Sequence, residues 1–178
     1  GAEGEVRFEH RPLHDGDRIE LGKLHLDVLH VPGHTPEHVA FVISGGQGAA
    51  EPWGVFTGDT LFAGEVGRPD LLGAGTEEGL ARALYRSLHE KLLPLGDDVI
   101  IYPAHGEGSP CGASIGERKT STIGYERRNN PLFQARDEAR FAAELLEAQS
   151  PAPAYYPRMK RINAEGPRVL GALPALEP

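Results

Sequence analysis

Val55-Phe56-Thr57-Gly58-Asp59-Thr60-Leu61-Phe62-Ala63-Gly64-Glu65-Val66-Gly67-Arg68-Pro69-Asp70 is the stretch around which the chain is organised. Its apolar start reads as a strand. Asp59 follows between Gly58 and Thr60, where a strand hands a carboxylate to the rim of a sheet. Such a carboxylate suits a metal ion. Two other places repeat the arrangement: His34 follows Val31-Pro32-Gly33, and His105 follows Tyr102-Pro103-Ala104. Taken singly, a Gly-Asp-Thr turn reads as a capped turn and a histidine in a Gly/Pro loop as a surface imidazole. Three strand ends that each carry a coordinating side chain read together as a site, because metal centres collect ligands from several loops.

The 178 residues suit one domain with a tail left over. Acidic residues outnumber basic ones by 26 to 18, for a net charge of -8, and no basic stripe argues for nucleic acid as a partner. The longest apolar runs, such as Val39 to Ile43, are too short to span a membrane, and the first residues lack a signal-peptide pattern. A soluble, cytoplasmic protein is expected. The single cysteine, Cys111, excludes an intrachain disulfide framework. The opening Gly-Ala-Glu-Gly reads as the cut end of something longer.

Around the central stretch, Arg18 to Leu21 and Leu24 to Leu29 read as a hairpin turning at Gly22-Lys23, with Leu24, Leu26 and Val28 on one face. His25 and His30 carry no assigned role. Pro32 and Pro36 stiffen the loop that holds His34, which suits a ligand. His38 heads the next strand, Val39 to Ile43, either as a purely structural residue or as a support for a metal ligand. Gly45 to Ala50 is a flexible hairpin tip. Thr76 is expected to cap a helix in which Glu77 and Glu78 occupy the first turn, Leu80, Leu84, Leu88 and Leu92 form a core stripe, and Pro94 marks the end. Val99 to Tyr102 is a short strand leading to His105. Residues 114–130 are polar, and Asn130-Pro131 opens a closing helical segment to about Gln149, with Phe133, Phe141 and Leu145 on its apolar face. From Ser150 onward the chain reads as a proline-rich linker or wrapping tail.

Four motifs carry a resemblance: Pro-Gly-His-Thr at 32–35, Phe-Thr-Gly-Asp-Thr-Leu-Phe at 56–62, Gly-Arg-Pro-Asp at 67–70 and Tyr-Pro-Ala-His-Gly at 102–106. In this order, over roughly residues 15–135, they resemble the second half of a metallo-β-lactamase-fold protein of the glyoxalase II and persulfide dioxygenase branch. Gly-Ser-Pro-Cys-Gly at 108–112 and Ile-Gly-Tyr-Glu-Arg-Arg-Asn-Asn-Pro at 123–131 are similar to bacterial persulfide dioxygenases that often carry a rhodanese domain.

The resemblance implies an α/β fold, the αββα sandwich, with a metal at one edge of its two sheets. Residues 1–149 would be the C-terminal portion of that domain and 150–178 a tail or linker toward a rhodanese domain. His34 and Asp59 would be two ligands of a mononuclear Fe(II). A third histidine would come from a Thr-His-x-His-x-Asp-His motif that this sequence lacks. His105 matches the position that binds a second metal in two-metal relatives, or else lines the pocket.

The implied reaction oxidises a low-molecular-weight persulfide, such as glutathione persulfide, with O₂ to sulfite and thiol. A zinc pair on the same loops would instead hydrolyse a thioester, and without the third histidine the chain could be a metal-poor, inactive piece. Arg68, Asp70, Arg127 and Arg128 are the expected substrate-binding residues, with Arg68 alternatively pairing with Asp70 or Asp59 to hold its loop. Cys111 is either a small buried hydrophobe or an exposed thiol able to accept a sulfane sulfur. A homo-oligomer is compatible with these features.

Overall fold

The computed structural model describes residues 1–46, 51–73, 75–135, 137–167 and 171. Six strands form one sheet in the order β1-β2-β3-β4-β5-β6. They are β1 (Arg18–Leu21), β2 (Leu24–His30), β3 (Val39–Gly45), β4 (Gly54–Gly58), β5 (Ile100–Pro103) and β6 (Ser121–Thr122). The expected hairpin is present, with Leu21 opposite Leu24 across Gly22-Lys23. Gly22 has φ +65°, which a glycine supplies without the strain a side chain would bring. Of the expected glycine-rich tip, Gln47 to Ala50 lie outside the described residues.

Strand direction decides where the loops emerge. β2 and β3 are antiparallel, β3 and β4 are antiparallel, and β4 and β5 are parallel, so β2, β4 and β5 run the same way. Their C-terminal ends share one edge of the sheet. The residues that follow those ends carry His34, Asp59 and His105, and such an edge is where ligands of open α/β sheets collect.

One face of the sheet is covered by helices. Helix α1 (Glu77–Arg86) and, after α2 (Ile123–Asn129), helix α3 (Glu138–Glu147) pack over Ala40, Val42, Val55 and Ile101 in one buried cluster with Leu84, Leu88, Leu92, Phe141 and Leu145. Three of the four striped leucines are fully buried and Leu80 nearly so. The helix is not uniform, however. It continues from α1 into π-helical turns over Ser87–Leu92 and a 3₁₀ turn over Leu93–Leu95. A spacing of four residues advances about 40° around an α-helix, whereas the wider π turn rotates the next leucine back, so the change of winding keeps all four on the core. Thr76 stands at the N-cap, but its hydroxyl donates to the Gly73 carbonyl and caps nothing.

The opposite face carries Phe41, Phe56 and Tyr102 in register across β3, β4 and β5. Phe56 is 44% exposed on a central strand, its ring tilted against that of Tyr102. In an αββα sandwich this is the face turned to the second sheet; the described residues form one sheet and its helix layer.

Three stretches gain detail, and one of them is corrected. The polar stretch 114–130 contains α2, capped by Thr122 Oγ1 accepting from the Tyr125 amide. The closing helical segment is split: Asn130 caps a 3₁₀ turn over Pro131–Gln134, and Asp137 then caps α3. The tail from Ser150, expected as a linker or wrapping tail, contains α4 (Tyr156–Glu165), whose Ala164 carbonyl accepts from the Arg7 amide. Residues 168–170 and 172–178 of that tail lie outside the described residues.

Candidate active site

His34 is held by two elements. Gly33 leaves no room for a side chain, since a Cβ there would meet Leu84 Cβ of α1 at 2.5 Å. Ser87 Oγ donates to the Pro32 carbonyl at 2.7 Å, so the helix layer pins the loop from below. The imidazole is buried, and its Nδ1 donates to the Arg68 carbonyl at 2.9 Å. That bond fixes the tautomer and leaves Nε2 free to coordinate. Burial pulls the His34 pKa below its usual value despite the nearby Asp59, keeping it in the neutral form that ligates metals.

Asp59 is positioned by the turn after β4. Gly58 has φ +55°, and a Cβ there would lie 2.5 Å from His38 Nε2. That same Nε2 accepts from the Asp59 amide at 3.0 Å. His38 thus supports the backbone of a candidate ligand, the other of the two roles its place in the sequence left open, and burial pulls its pKa down, favouring the neutral form that accepts. Asp59 Oδ1 lies 4.0 Å from His34 Nε2 and 3.0 Å from His105 Nε2. Even so, this buried oxygen has no hydrogen-bond partner among the described residues. An orphaned buried carboxylate oxygen is costly unless a cation claims it.

Cys111 comes closer than its sequence position suggested. Donor atoms of His34, Asp59 and Cys111 all lie within 4.8 Å of one another. An N, O and S set of this kind fits a transition metal, and the residues present are therefore compatible with the ion that the sequence implied. Cys111 Sγ is also 3.9 Å from the Tyr156 hydroxyl, and burial together with that sulfur pushes Tyr156 up to about 12.

Arg68 does not face the pocket. Its guanidinium is almost wholly buried, forks onto both Asp70 oxygens at 2.7 and 2.8 Å, and donates to the carbonyls of Pro110 and Ser150. The pairing alternative describes it: one side chain ties the 64–70 loop, the cysteine loop and the end of α3 together. Asp70 is consumed in the same pair, which holds its pKa below the carboxylate norm. Arg127 and Arg128 are not brought to the site either. Both reach Asp97, which precedes β5 and so sits at the edge opposite His105. Their local positive cluster pairs with a nearby acid.

Sequence reasoning missed two contributors. Glu126 is buried in α2, and its carboxylate accepts from the Gly64 amide, Ser121 Oγ and Asn130 Nδ2. It anchors the base of the 64–70 loop, though nothing in its spacing marks it. Helix α4 forms a wall of the pocket through Tyr156, Met159, Lys160 and Asn163. Its signal was legible, since Pro157 lies just inside its start and Gly166 just past its end. The pocket encloses about 660 Å³ above His34, Asp59, His105 and Cys111.

The signature of the metallo-beta-lactamase superfamily matches residues 1–105. The chain belongs to that superfamily. Its helix-backed sheet and loop-borne site are those of superfamily structures: a metallo-beta-lactamase from Staphylococcus aureus superposes with a TM-score of 0.82 at 40% identity, over 89% of this chain and 46% of that one. Among curated relatives, the hydroxyacylglutathione hydrolase GloC of Haemophilus influenzae is 35% identical over 68% of this chain and 47% of its own length. The human mitochondrial persulfide dioxygenase ETHE1 is 36% identical over 67% of this chain and 41% of its own. The chain therefore spans less than half the length of each. The two named relatives are a hydrolase and a dioxygenase. No helix among the described residues is long and apolar enough to cross a membrane.

Proposed function

We propose that this protein belongs to a cytoplasmic, iron-dependent persulfide dioxygenase, acting on a low-molecular-weight thiol persulfide such as glutathione persulfide. The observation that carries this reading is the sulfur of Cys111 beside the His34–Asp59 pair, at the floor of a pocket large enough for a small thiol. Similarity to a persulfide dioxygenase supports it. The overall change is RSSH + O₂ + H₂O → RSH + SO₃²⁻ + 2 H⁺. The outer sulfur is oxidised by four electrons, O₂ accepts them, and the S–S bond is the one broken.

His34 and Asp59 would hold the iron(II), which when bound supplies the one-electron chemistry needed to reduce O₂. The chain's own residues do the rest. Arg68 fixes the ring of His34, His38 fixes the backbone of Asp59, and the α4 wall with Tyr156 limits water at the sulfur end. Cys111 is placed to receive or exchange a sulfane sulfur next to the centre.

One observation favours a second reading. His105 Nε2 lies 3.0 Å from Asp59 Oδ1, so His105 and Asp59 would hold a second ion, and a zinc pair would supply the polarised thioester and activated water that hydrolysis needs. Metal analysis of protein purified without added metal separates the two. About one iron per chain supports the dioxygenase; two zinc ions, with thioester cleavage that needs no O₂, support the hydrolase.

A further inference from the structure

Helix α4 lines the pocket over the metal donors yet is barely joined to the layers beneath it. Tyr156, Met159, Lys160, Asn163 and Ala164 face that pocket, but Tyr156 alone of the ten residues of α4 is buried. Among the described residues, no α4 side chain enters the apolar cluster that fastens α1 and α3 to the sheet. The segment leading into the helix, Ser150-Pro151-Ala152-Pro153-Ala154, starts at a carbonyl clamped by Arg68 Nη2 at 2.7 Å, and its two prolines have no amide with which to tie it down. Arg68 also stands over the Tyr156 ring, its guanidinium carbon 5.9 Å from the centroid. At the other end of α4, the Arg7 amide donates to the Ala164 carbonyl at 2.8 Å, while the Arg7–Glu165 ion pair is 3.9 Å long and exposed, which makes it weak.

We propose that α4 is a lid over this pocket, hinged at residues 150–154, latched by the Tyr156 ring at one end and by the Arg7 bond at the other, and that it lifts as one unit to expose Cys111 and the metal donors. Segments with little buried apolar surface open at a small fraction of the free energy of global unfolding, and lids are drawn from them. Closed, α4 screens the sulfur from water; open, it gives a ligand its way in. The fixed end of the hinge is held by Arg68, whose own carbonyl orients His34, so the lid turns on the residue that also holds the ligand loop. This device rests on the geometry of the site and not on the reaction assigned to it.

Hydrogen exchange of the full chain, read by mass spectrometry, and alkylation of Cys111 by iodoacetamide test the lid without any turnover. The amides of residues 158–165 are expected to exchange together, at least about tenfold faster than those of α3. Tyr156→Ala is expected to raise the alkylation rate about tenfold with α3 protection unchanged, and Tyr156→Phe to stay near the wild type, because the ring and not the hydroxyl is the latch. Arg7→Pro removes the amide that bonds Ala164 and acts from the opposite end of the helix; it is expected to raise the alkylation rate about fivefold, the scale of one hydrogen bond. Protection of α4 equal to that of α3 would overturn the lid. So would an alkylation rate indifferent to Arg7→Pro, since Tyr156→Ala would then merely uncover a neighbouring sulfur. Absence of persulfide-dependent O₂ uptake, with both rates as expected, would remove the dioxygenase reading and leave the lid.

Discussion

The Nδ1 of His34 donates to the main-chain carbonyl of Arg68 at 2.9 Å, so the proposed metal ligand takes its orientation from the loop that Arg68 ties down. Arg68→Ala frees that loop and leaves Asp70 without its partner. Metal affinity is expected to fall about 10- to 100-fold, as it does when a group orienting a ligand is lost. Stability is expected to fall by roughly 2–3 kcal/mol, less than for a fully buried pair because Asp70 is 27% exposed. Metal titration and thermal melting check both. A raised KM with metal content intact would instead return Arg68 to a substrate-binding role.

Gly67 is the tightest backbone approach in the site. A Cβ there would lie 1.8 Å from the Asp59 carbonyl oxygen and 3.2 Å from His34 Nδ1. Gly67→Ala must displace the 64–70 loop from the Asp59 turn and the His34 ring, at an overpacking cost of about 1–3 kcal/mol. The expected result is a folded protein with little bound metal, read by circular dichroism and metal analysis together.

The Arg68–Asp70 pair gives a pH dependence of definite sign. Asp70 has a lowered pKa in the folded protein, first through its hydrogen bonds with Arg68, so the folded state binds this proton less readily than the unfolded chain. Its stabilisation is present above the ordinary carboxylate value of 3.8 and fades as pH falls through the lowered folded value. Asp70→Asn should therefore lower the melting temperature near neutrality and flatten its decline in acid. An equal offset at every pH would show that the pair's charge is not the cause.

Leu84 couples core packing to the site. It is fully buried, and its Cβ fills the space beside Gly33. Leu84→Ala should cost about 2–5 kcal/mol in denaturant unfolding, with metal affinity falling as well because the cavity opens directly beneath the His34 loop.

Cys111→Ser should change persulfide turnover while iron content remains near that of the wild type. In the folded protein the thiol, half-buried at the pocket floor, should react with a small alkylating agent more slowly than a free thiol does. Wild-type turnover in the variant, with a thiol inert to alkylation, would make Cys111 structural.

The sequence carried the site better than its surroundings, for physical reasons. Asp59, His34 and His105 were legible because each ends a strand, and strand ends are marked locally by glycine and proline. Their convergence depends on β2, β4 and β5 running in one direction, which the strand pairing establishes. The placement of Arg127 and Arg128 was not legible, because charge in sequence does not reveal a partner: both pair with Asp97, about thirty residues away, at the far edge. The π-helical turns after α1 were hidden because a four-residue leucine spacing fits a continuous α-helix nearly as well. Glu126 escaped notice because a carboxylate's burial is set by what folds over it.

Oxygen uptake by the iron-loaded protein on addition of glutathione persulfide tests the central claim most directly. The expected result is one O₂ consumed per sulfite released, abolished by Asp59→Ala. Thioester hydrolysis without O₂ consumption, or no persulfide-dependent uptake at all, would contradict it.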